Sequence, residues 1–523
     1  MTATLAAATS TRVAGPSHWR TRILPPTDGR GGWAATLLVG LLAGLLRVVR
    51  LDLPAGRIFD EVYYACDAQN LLRFGVEVAT VPNSDEDPGA AARCEPTGEP
   101  GFIVHPPLGK WLVAVGLRLF GVDEFGWRIA AAVAGTLTVV VLVRLTRRMT
   151  GSTVLGCFAG LLLSLDGLHF VLSRAALLDV FLTTWVVAAF ACLVADRDAV
   201  RRRLAGTDDA LLRGGPVPLG ARPWRLAAGL CLGAAVATKW SGLYALTALV
   251  LLSFAWEVGA RRTAGVPAPL RSTLRGWLPG SLAALVVLPA AVYVLSWVGW
   301  FASDDGYDRQ WAADHPADGL AGLLPDALRS WLEYHRAMFA FHDGLRAPHP
   351  YQSHPAGWLL LARPVSFYYP QGIGPGDYGC EVASCSREVL ALGTPALWWG
   401  FVVAAPLLLW LWLARRDWRP AAALVMVAAA IVPWVRDDLD GRTMFLFYAL
   451  PGVPFMCLGL ALVAGWAMGG PSAAPSRRRA AALGAGAFAA VVVLTFAWLY
   501  PLFAAQTLPY DAWRDWIWFS SWI

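Results

Sequence analysis

The chain has 523 residues, 57% of them hydrophobic and 15% charged, with a mean hydropathy of +0.50. A soluble chain carries about 25% charged residues, so these values and the recurring long apolar runs exclude a large soluble core and indicate an all-α polytopic membrane protein. The net charge of +6 does not point to nucleic acid, because the basic residues cluster between apolar runs.

Residues 1–32 are polar and rich in Pro, Ser, Thr and Arg, and read as a disordered cytoplasmic start rather than a cleavable signal. Apolar spans are expected near 33–50, 127–148, 152–168, 174–195, 224–240, 242–258, 276–299, 394–414, 419–435, 443–465 and 481–503. Basic clusters at Arg147/Arg148, Arg201–Arg203, Arg261/Arg262, Arg415/Arg416 and Arg477–Arg479 alternate with acidic or mixed loops. Placing them all in the cytoplasm gives about eleven spans, the N-terminus inside and the C-terminus outside. The outer segments are then 51–126, 300–393 and the tail 504–523.

The first outer loop opens on Arg57-Ile58-Phe59-Asp60-Glu61-Val62-Tyr63-Tyr64. Two adjacent carboxylates and paired tyrosines are costly at a lipid interface unless they are used. The loop closes on His105-Pro106-Pro107-Leu108-Gly109-Lys110, and Lys110 to Phe120 has the pattern of a short interfacial helix, its lysine free to snorkel. Arg128 and Arg174 each stand at the outer start of a span. Arg174 and Asp179 lie about one and a half turns apart, the spacing of an intramembrane pair. Lys239, in Ala237-Thr238-Lys239-Trp240-Ser241-Gly242, interrupts two apolar runs, and a phosphate is a common partner for such a cation. Only Lys110 and Lys239 among the 43 basic residues are lysines, and both fall on the Asp60 side.

Cys157, Cys192, Cys231 and Cys457 fall in spans, where a thiol is a small apolar residue. Cys66 and Cys94 share the first outer loop and Cys380 and Cys385 the second, so each loop is expected to hold one disulfide. The second loop also carries His335, His342, His349 and His354, followed by Arg363 to Tyr369. The histidine spacing is irregular, with no carboxylate at ligand distance, so no metal site is expected. No Walker or GxGxxG loop and no internal repeat occurs, which argues against an ATP-driven pump. Polar clusters on one side only argue against a transporter.

In their order and membrane placement these motifs resemble the protein O-mannosyltransferases, the dolichyl- or polyprenyl-phosphate-mannose–protein mannosyltransferases of the GT-C superfamily. The resemblance runs from about Leu51 to about Pro454, and Arg442-Thr443-Met444-Phe445-Leu446-Phe447-Tyr448 is similar to the actinobacterial branch. It implies a GT-C fold, with a catalytic module at 33–299, an outer loop at 300–393 and C-terminal helices at 394–503. That loop is too short for the β-trefoil domain of the eukaryotic members. It implies a donor, polyprenyl-phosphate-mannose, and acceptors that are Ser/Thr hydroxyls of secreted or membrane proteins. The localisation implied is the plasma membrane with the site outside. Membrane lipid and the secretion translocon are further expected partners; no cofactor is indicated, a divalent cation being left open. A lipid or glycan acceptor is the alternative.

A phosphate leaving group needs no carboxylic acid to protonate it, so a single acid pair suffices, unlike the two separated carboxylates of glycosidases. Asp60 is expected to be the base, with Glu61 orienting it or the acceptor. Lys239, Arg128, Arg174 and Arg442 are the expected phosphate ligands. His105, Lys110, Tyr63, Trp240, His349 and His354 are expected to wall the site or meet the acceptor.

Overall fold

The computed structural model describes residues 29–81, 93–102, 104–214, 219–470 and 472–523. The expectation for the N-terminal segment falls largely on residues 1–28, outside the described residues.

The chain opens with α1 (Arg30–Val48), α2 (Glu61–Phe74), the strands β1 (Val78–Thr80) and β2 (Pro96–Pro100), α3 (Leu108–Phe120), α4 (Glu124–Thr150) and α5 (Thr153–Ser164). Next come α6 (Gly167–Leu172), α7 (Leu178–Ala205), α8 (Pro223–Thr238), α9 (Gly242–Thr263) and α10 (Pro269–Leu282), which runs through a π-helical turn into α11 (Leu288–Ser296). The second loop holds α12 (Gly319–Gly322), α13 (Asp326–Gly344), β3 (Val365–Tyr368), β4 (Cys385–Ser386) and β5 (Val389–Ala391). The chain ends with α14 (Pro395–Leu413), α15 (Trp418–Ile431), α16 (Val453–Met468), α17 (Pro475–Phe503), β6 (Leu508–Pro509) and α18 (Tyr510–Trp516).

Among the described residues nine helices are long and apolar enough to cross a membrane. The expected spans at 152–168 and 224–240 are the short helices α5 and α8, of 12 and 16 residues. At 1.5 Å per residue each helix alone is shorter than a hydrocarbon core of about 30 Å, and so neither is among the nine. The architecture is compatible with eleven crossings. The span expected from residue 174 begins at Leu178, because the chain before it folds as the separate helix α6.

The span Leu446–Met468, which ends in α16, and α7 are the most buried, with 83% and 72% of their apolar stretches covered, whereas α17 is peripheral at 11%. Polar side chains cap the turns between spans: Asp123 accepts from Gly126 N at 2.7 Å, and Asp166 accepts from His169 N at 2.8 Å and from Trp398 Nε1 at 2.7 Å. α3 lies close on α4 because Gly116 has no Cβ to collide with the carbonyl oxygen of Gly126. At the N-terminal end of α8, Arg222 and Arg225 bind Asp196 of α7 and Glu257 of α9, which also holds Arg261. Lys239, at the other end of α8, marks the opposite face of the bundle.

That face carries three two-stranded antiparallel sheets. β1 pairs with β2, β3 with β5, and β4 with β6, where Cys385 stands opposite Pro509. Cys66 is bonded to Cys94 and Cys380 to Cys385. The first bond ties α2 to the start of the β2 arm, and the second closes the hairpin against which the C-terminal segment lies.

Candidate active site

Asp60 stands at the N-cap of α2, and no hydrogen bond reaches its carboxylate among the described residues. Phe59 before it is in the left-handed region, φ 47°, a conformation that costs a non-glycine residue about 1 kcal/mol or more. Aromatic packing holds it there: its ring stacks on Phe367 at 4.4 Å and meets Phe447 edge-on at 5.7 Å. Burial pushes the Asp60 carboxyl up to about 6, Lys239 opposing and Asp179 adding to the shift.

Glu61, the next residue, is in the opposite condition. It is fully buried, and its two oxygens accept four hydrogen bonds: from Arg128 Nε (2.9 Å) and Nη2 (2.8 Å), Ile58 N (3.0 Å) and Ala176 N (2.8 Å). Arg128 spends its remaining donors on the carbonyls of Leu51, Pro54 and Gly56, so all five guanidinium N–H groups are engaged. It has none to offer a phosphate. Arg174 donates through Nη1 to the carbonyls of Leu46, Arg47 and Val49 and through Nη2 to that of Arg50, at the C-terminal end of α1. These geometries turn Arg128 and Arg174 toward carboxylate and backbone rather than an open site, and of the two orienting roles expected of Glu61 they favour the one toward Asp60. All three clamp the α1–α2 connection that delivers Asp60.

The expected Arg174–Asp179 pair is replaced by another. Asp179, in the first turn of α7, receives both N–H···O bonds from Lys239 Nζ, at 2.9 and 3.0 Å. Lys239 is nearly buried, its Nζ 4.7 Å from the ring centre of Tyr448. Arg442 lies against the same ring at 5.9 Å, donates through Nε to His342 O at 2.9 Å, and keeps a buried Nη1 without a partner. Two cations thus converge on one aromatic ring, and Arg442 retains a donor for a further anion.

The histidine wall joins two distant segments. His105 and His342 stack at 5.1 Å, and His342 Nε2 donates to Val104 O at 2.6 Å. Burial drives both well below their ordinary range, His342 to about 4, so both imidazoles are neutral at pH 7. His105 Nδ1 is buried without a partner. Tyr64 is buried beside His105, at 6.3 Å, whereas Tyr63 is 66% exposed. Of the pair it is thus Tyr64 that packs beside His105, while Tyr63 is turned to the surface. Spacing alone carries that signal, since Tyr64 is four residues from Asp60 and shares its helix face.

Lys110 does not snorkel but turns inward. It is 1% exposed and bridges Asp67 (3.0 Å) and Glu77 (3.4 Å), locking α3 to α2 and β1. Trp240 donates to Tyr293 Oη at 2.9 Å, and that hydroxyl donates to His335 Nε2 at 2.7 Å; the ring of Trp240 lies 5.9 Å from His342. His349 packs edge-on against Phe445 at 5.0 Å, and the exposed His354 bonds Asp438 at 2.7 Å. The motif reading missed Asp179 as the partner of Lys239, and Tyr64, His342, Phe59 and Tyr448 as members of the site.

Below Tyr448, a narrow apolar crevice of about 20 Å³ lies between α7, α9 and α15, lined by Leu182, Val186, Ala245, Met426 and Ala430.

The family described as dolichyl-phosphate-mannose-protein mannosyltransferase matches residues 98–298, and the C-terminal four-transmembrane region of protein-O-mannosyltransferase matches residues 327–522. The chain is 39% identical over 512 residues to a polyprenol-phosphate-mannose–protein mannosyltransferase of Mycolicibacterium smegmatis (strain MKD8), covering 95% of this chain and 94% of that one. It is 32% identical to that of Corynebacterium glutamicum, covering 95% and 96%. The fold matches that of the S. cerevisiae protein O-mannosyltransferase Pmt1–Pmt2 complex bound to the sugar donor, with a TM-score of 0.71 at 16% identity, over 97% of this chain and 94% of that one.

Proposed function

The chain belongs to the dolichyl-phosphate-mannose–protein mannosyltransferase family, as a multi-pass membrane glycosyltransferase that moves mannose from polyprenol-phosphate-mannose to proteins, and from that premise we propose that its acceptors are Ser and Thr hydroxyls, met on the extracytoplasmic face of the plasma membrane and glycosylated in one inverting displacement. The observation that carries this reading is the unbonded carboxylate of Asp60 within the field of Lys239, which with Arg442 flanks the ring of Tyr448.

Asp60 takes the proton of the acceptor hydroxyl as its oxygen bonds C1 of mannose. The bond from C1 to the phosphate oxygen breaks on the opposite face, and polyprenyl phosphate departs with the bonding electron pair. Lys239 and Arg442 stabilise the charge gathering on that phosphate, and Asp179 holds Lys239 in place for it. Neutral His105 presents its free Nδ1 to the sugar or the phosphate.

The test is transfer of labelled mannose from polyprenyl-phosphate-mannose to a Ser/Thr-rich secreted peptide by the purified protein in liposomes. The expected product is an α-mannosyl peptide, its anomeric configuration read by NMR, and its formation is lost in Asp60→Asn. Label appearing only in a lipid or glycan, or a β-linked product, overturns the reading.

A further inference from the structure

With Asp60 taken as the base, we propose that the C-terminal segment latches β3 from behind, and that Trp513 and Glu388 are positioning residues for Asp60. Successive side chains of a strand point to opposite faces. On one face of β3, Phe367 is buried and stacks on Phe59 at 4.4 Å, holding the left-handed residue that precedes Asp60. On the other face Ser366 hydrogen-bonds the side chain of Glu388, which also accepts from Trp513 Nε1 at 2.9 Å. Just past the strand, the ring of Tyr369 packs on Trp513 at 5.4 Å, and its hydroxyl lies 3.0 Å from Ser386 Oγ. The strand thus stands between the turn that carries Asp60 and the tail of the chain.

The tail is fastened on both sides of Trp513. Before it, β6 pairs with β4, Arg387 Nε donates to Ala505 O at 2.7 Å, and Tyr510 N donates to Ser384 O at 3.0 Å. After it, Arg363 Nη1 donates to Ser521 O at 3.0 Å and Trp522 Nε1 to Leu361 O at 2.9 Å. These bonds seat the buried Trp513 ring against β3 and keep Phe367 on Phe59. A left-handed residue such as Phe59 costs about 1–3 kcal/mol and persists only while its surroundings impose it. A turn that relaxes carries Asp60 with it, and a shift of about 1 Å from productive geometry can cost about 100-fold in rate.

Glu388 is buried with no cation bonded to it among the described residues. The adjacent Arg387 turns to Ala505 O and to the rings of Tyr378 and Tyr368, at 4.8 and 5.9 Å. On α18, Asp511, Arg514 and Asp515 are exposed, and Tyr510 packs on Trp513 at 5.7 Å. On α6 and α17, which pack on β5, His169 is bonded to Arg47 and Tyr500 packs on Phe170. Burial pushes the Glu388 carboxyl up to about 7, the hydrogen bonds from Trp513 and Ser366 opposing. Protonated, it seats Trp513 without burying a charge; ionised, it leaves an uncompensated carboxylate in apolar surroundings. An ordinary glutamate titrates at about 4.3, so the latch is at full strength below about pH 4 and weakens as pH rises through about 7. Turnover therefore gains a falling limb on the alkaline side of the rise set by Asp60 at about 6.

The test is turnover of the full chain in liposomes across the pH range, beside binding of polyprenyl-phosphate-mannose. Trp513→Ala is expected to lower kcat about 10–100-fold while the Kd for donor stays within about two-fold. Trp516→Phe, on the same tail but bonded to Trp498 O, is expected to keep parental kcat. Glu388→Gln still accepts from Trp513 and cannot ionise, so it should match the parent near pH 6 and lose the alkaline limb. Parental kcat in Trp513→Ala overturns the proposal, and so does a Glu388→Gln profile that coincides with the parent's. Should Trp513→Ala fail to fold, the Glu388→Gln profile decides alone. Asp60→Asn, run alongside, separates the two readings. Parental turnover there removes Asp60 as the base and the latch's purpose with it, whereas an inactive Asp60→Asn beside a parental Trp513→Ala overturns the latch alone.

Discussion

Asp60 and Glu61 are neighbours in the chain and opposites in the fold. Glu61 sits in a closed frame, its oxygens taking four hydrogen bonds and its partner Arg128 giving five. Asp60 sits in an open cluster where its own carboxylate, Arg442 Nη1 and His105 Nδ1 lack partners. A buried polar atom left unpaired costs about 1–3 kcal/mol, and a fold tolerates several together only where something else will pair them. The saturated region gives geometry, and the unsaturated one awaits ligand atoms. That difference, rather than the charge of the side chains, separates the arginines that hold the backbone from the one with a donor left for phosphate.

The sharpest way to break the contrast is to exchange its two carboxylates for amides. Asp60→Asn is expected to lower turnover by roughly 10²–10⁴-fold while polyprenyl-phosphate-mannose still binds, checked by a turnover assay beside a lipid-binding assay. Because burial raises the carboxyl of Asp60 to about 6, the folded state holds that proton more tightly than the unfolded chain does between about pH 4 and 6. Ionisation at higher pH therefore costs stability. Asp60→Asn should then melt no lower than the parent at pH 7, a loss of activity without loss of fold.

Glu61→Gln should behave in the reverse way. Removing one partner of a buried ion pair costs about 3–5 kcal/mol, so the thermal midpoint and the yield of folded protein fall. The KM for donor in the surviving fraction stays near that of the parent. A Glu61→Gln protein with parental stability and a raised acceptor KM would return Glu61 to the open cluster.

Lys239→Ala is expected to weaken donor use by about 10–100-fold, from loss of a charge-assisted hydrogen bond worth about 1.5–3 kcal/mol. Lys239→Arg should retain more, because the cation remains. Equal activity of both across donor concentrations would move the phosphate away from Tyr448.

The pH profile comes next in size. The base must be ionised, so kcat/KM should fall about ten-fold per unit as pH drops below about 6, and be flat above it until another group titrates. The same profile on Glu61→Gln should keep its midpoint, since Asp60 is unchanged. The smallest effect is expected at the exposed tyrosine: Tyr63→Ala should alter turnover less than two-fold and stability by less than about 0.5 kcal/mol. Tyr64→Ala opens a cavity beside His105 and should cost several times more on both measures.

Much of this protein is legible in one dimension. Apolar runs longer than a bilayer requires can be satisfied only as helices, since no other backbone arrangement but a closed barrel pairs its hydrogen bonds in lipid. The alternation of arginine clusters then places Asp60, Lys239 and the four loop cysteines on a common side. Two cysteines per loop leave one pairing in each, and both bonds are formed. Motif order pointed to the family. Tertiary structure alone decided which charge is free. Arg128 meets Glu61 across 67 residues, Lys239 meets Asp179 across 60, and His342 reaches Val104 across 238. Whether a buried donor is spent or available depends on every acceptor within about 3 Å of it, and in a bundle of packed helices those acceptors come from segments that no local spacing brings together.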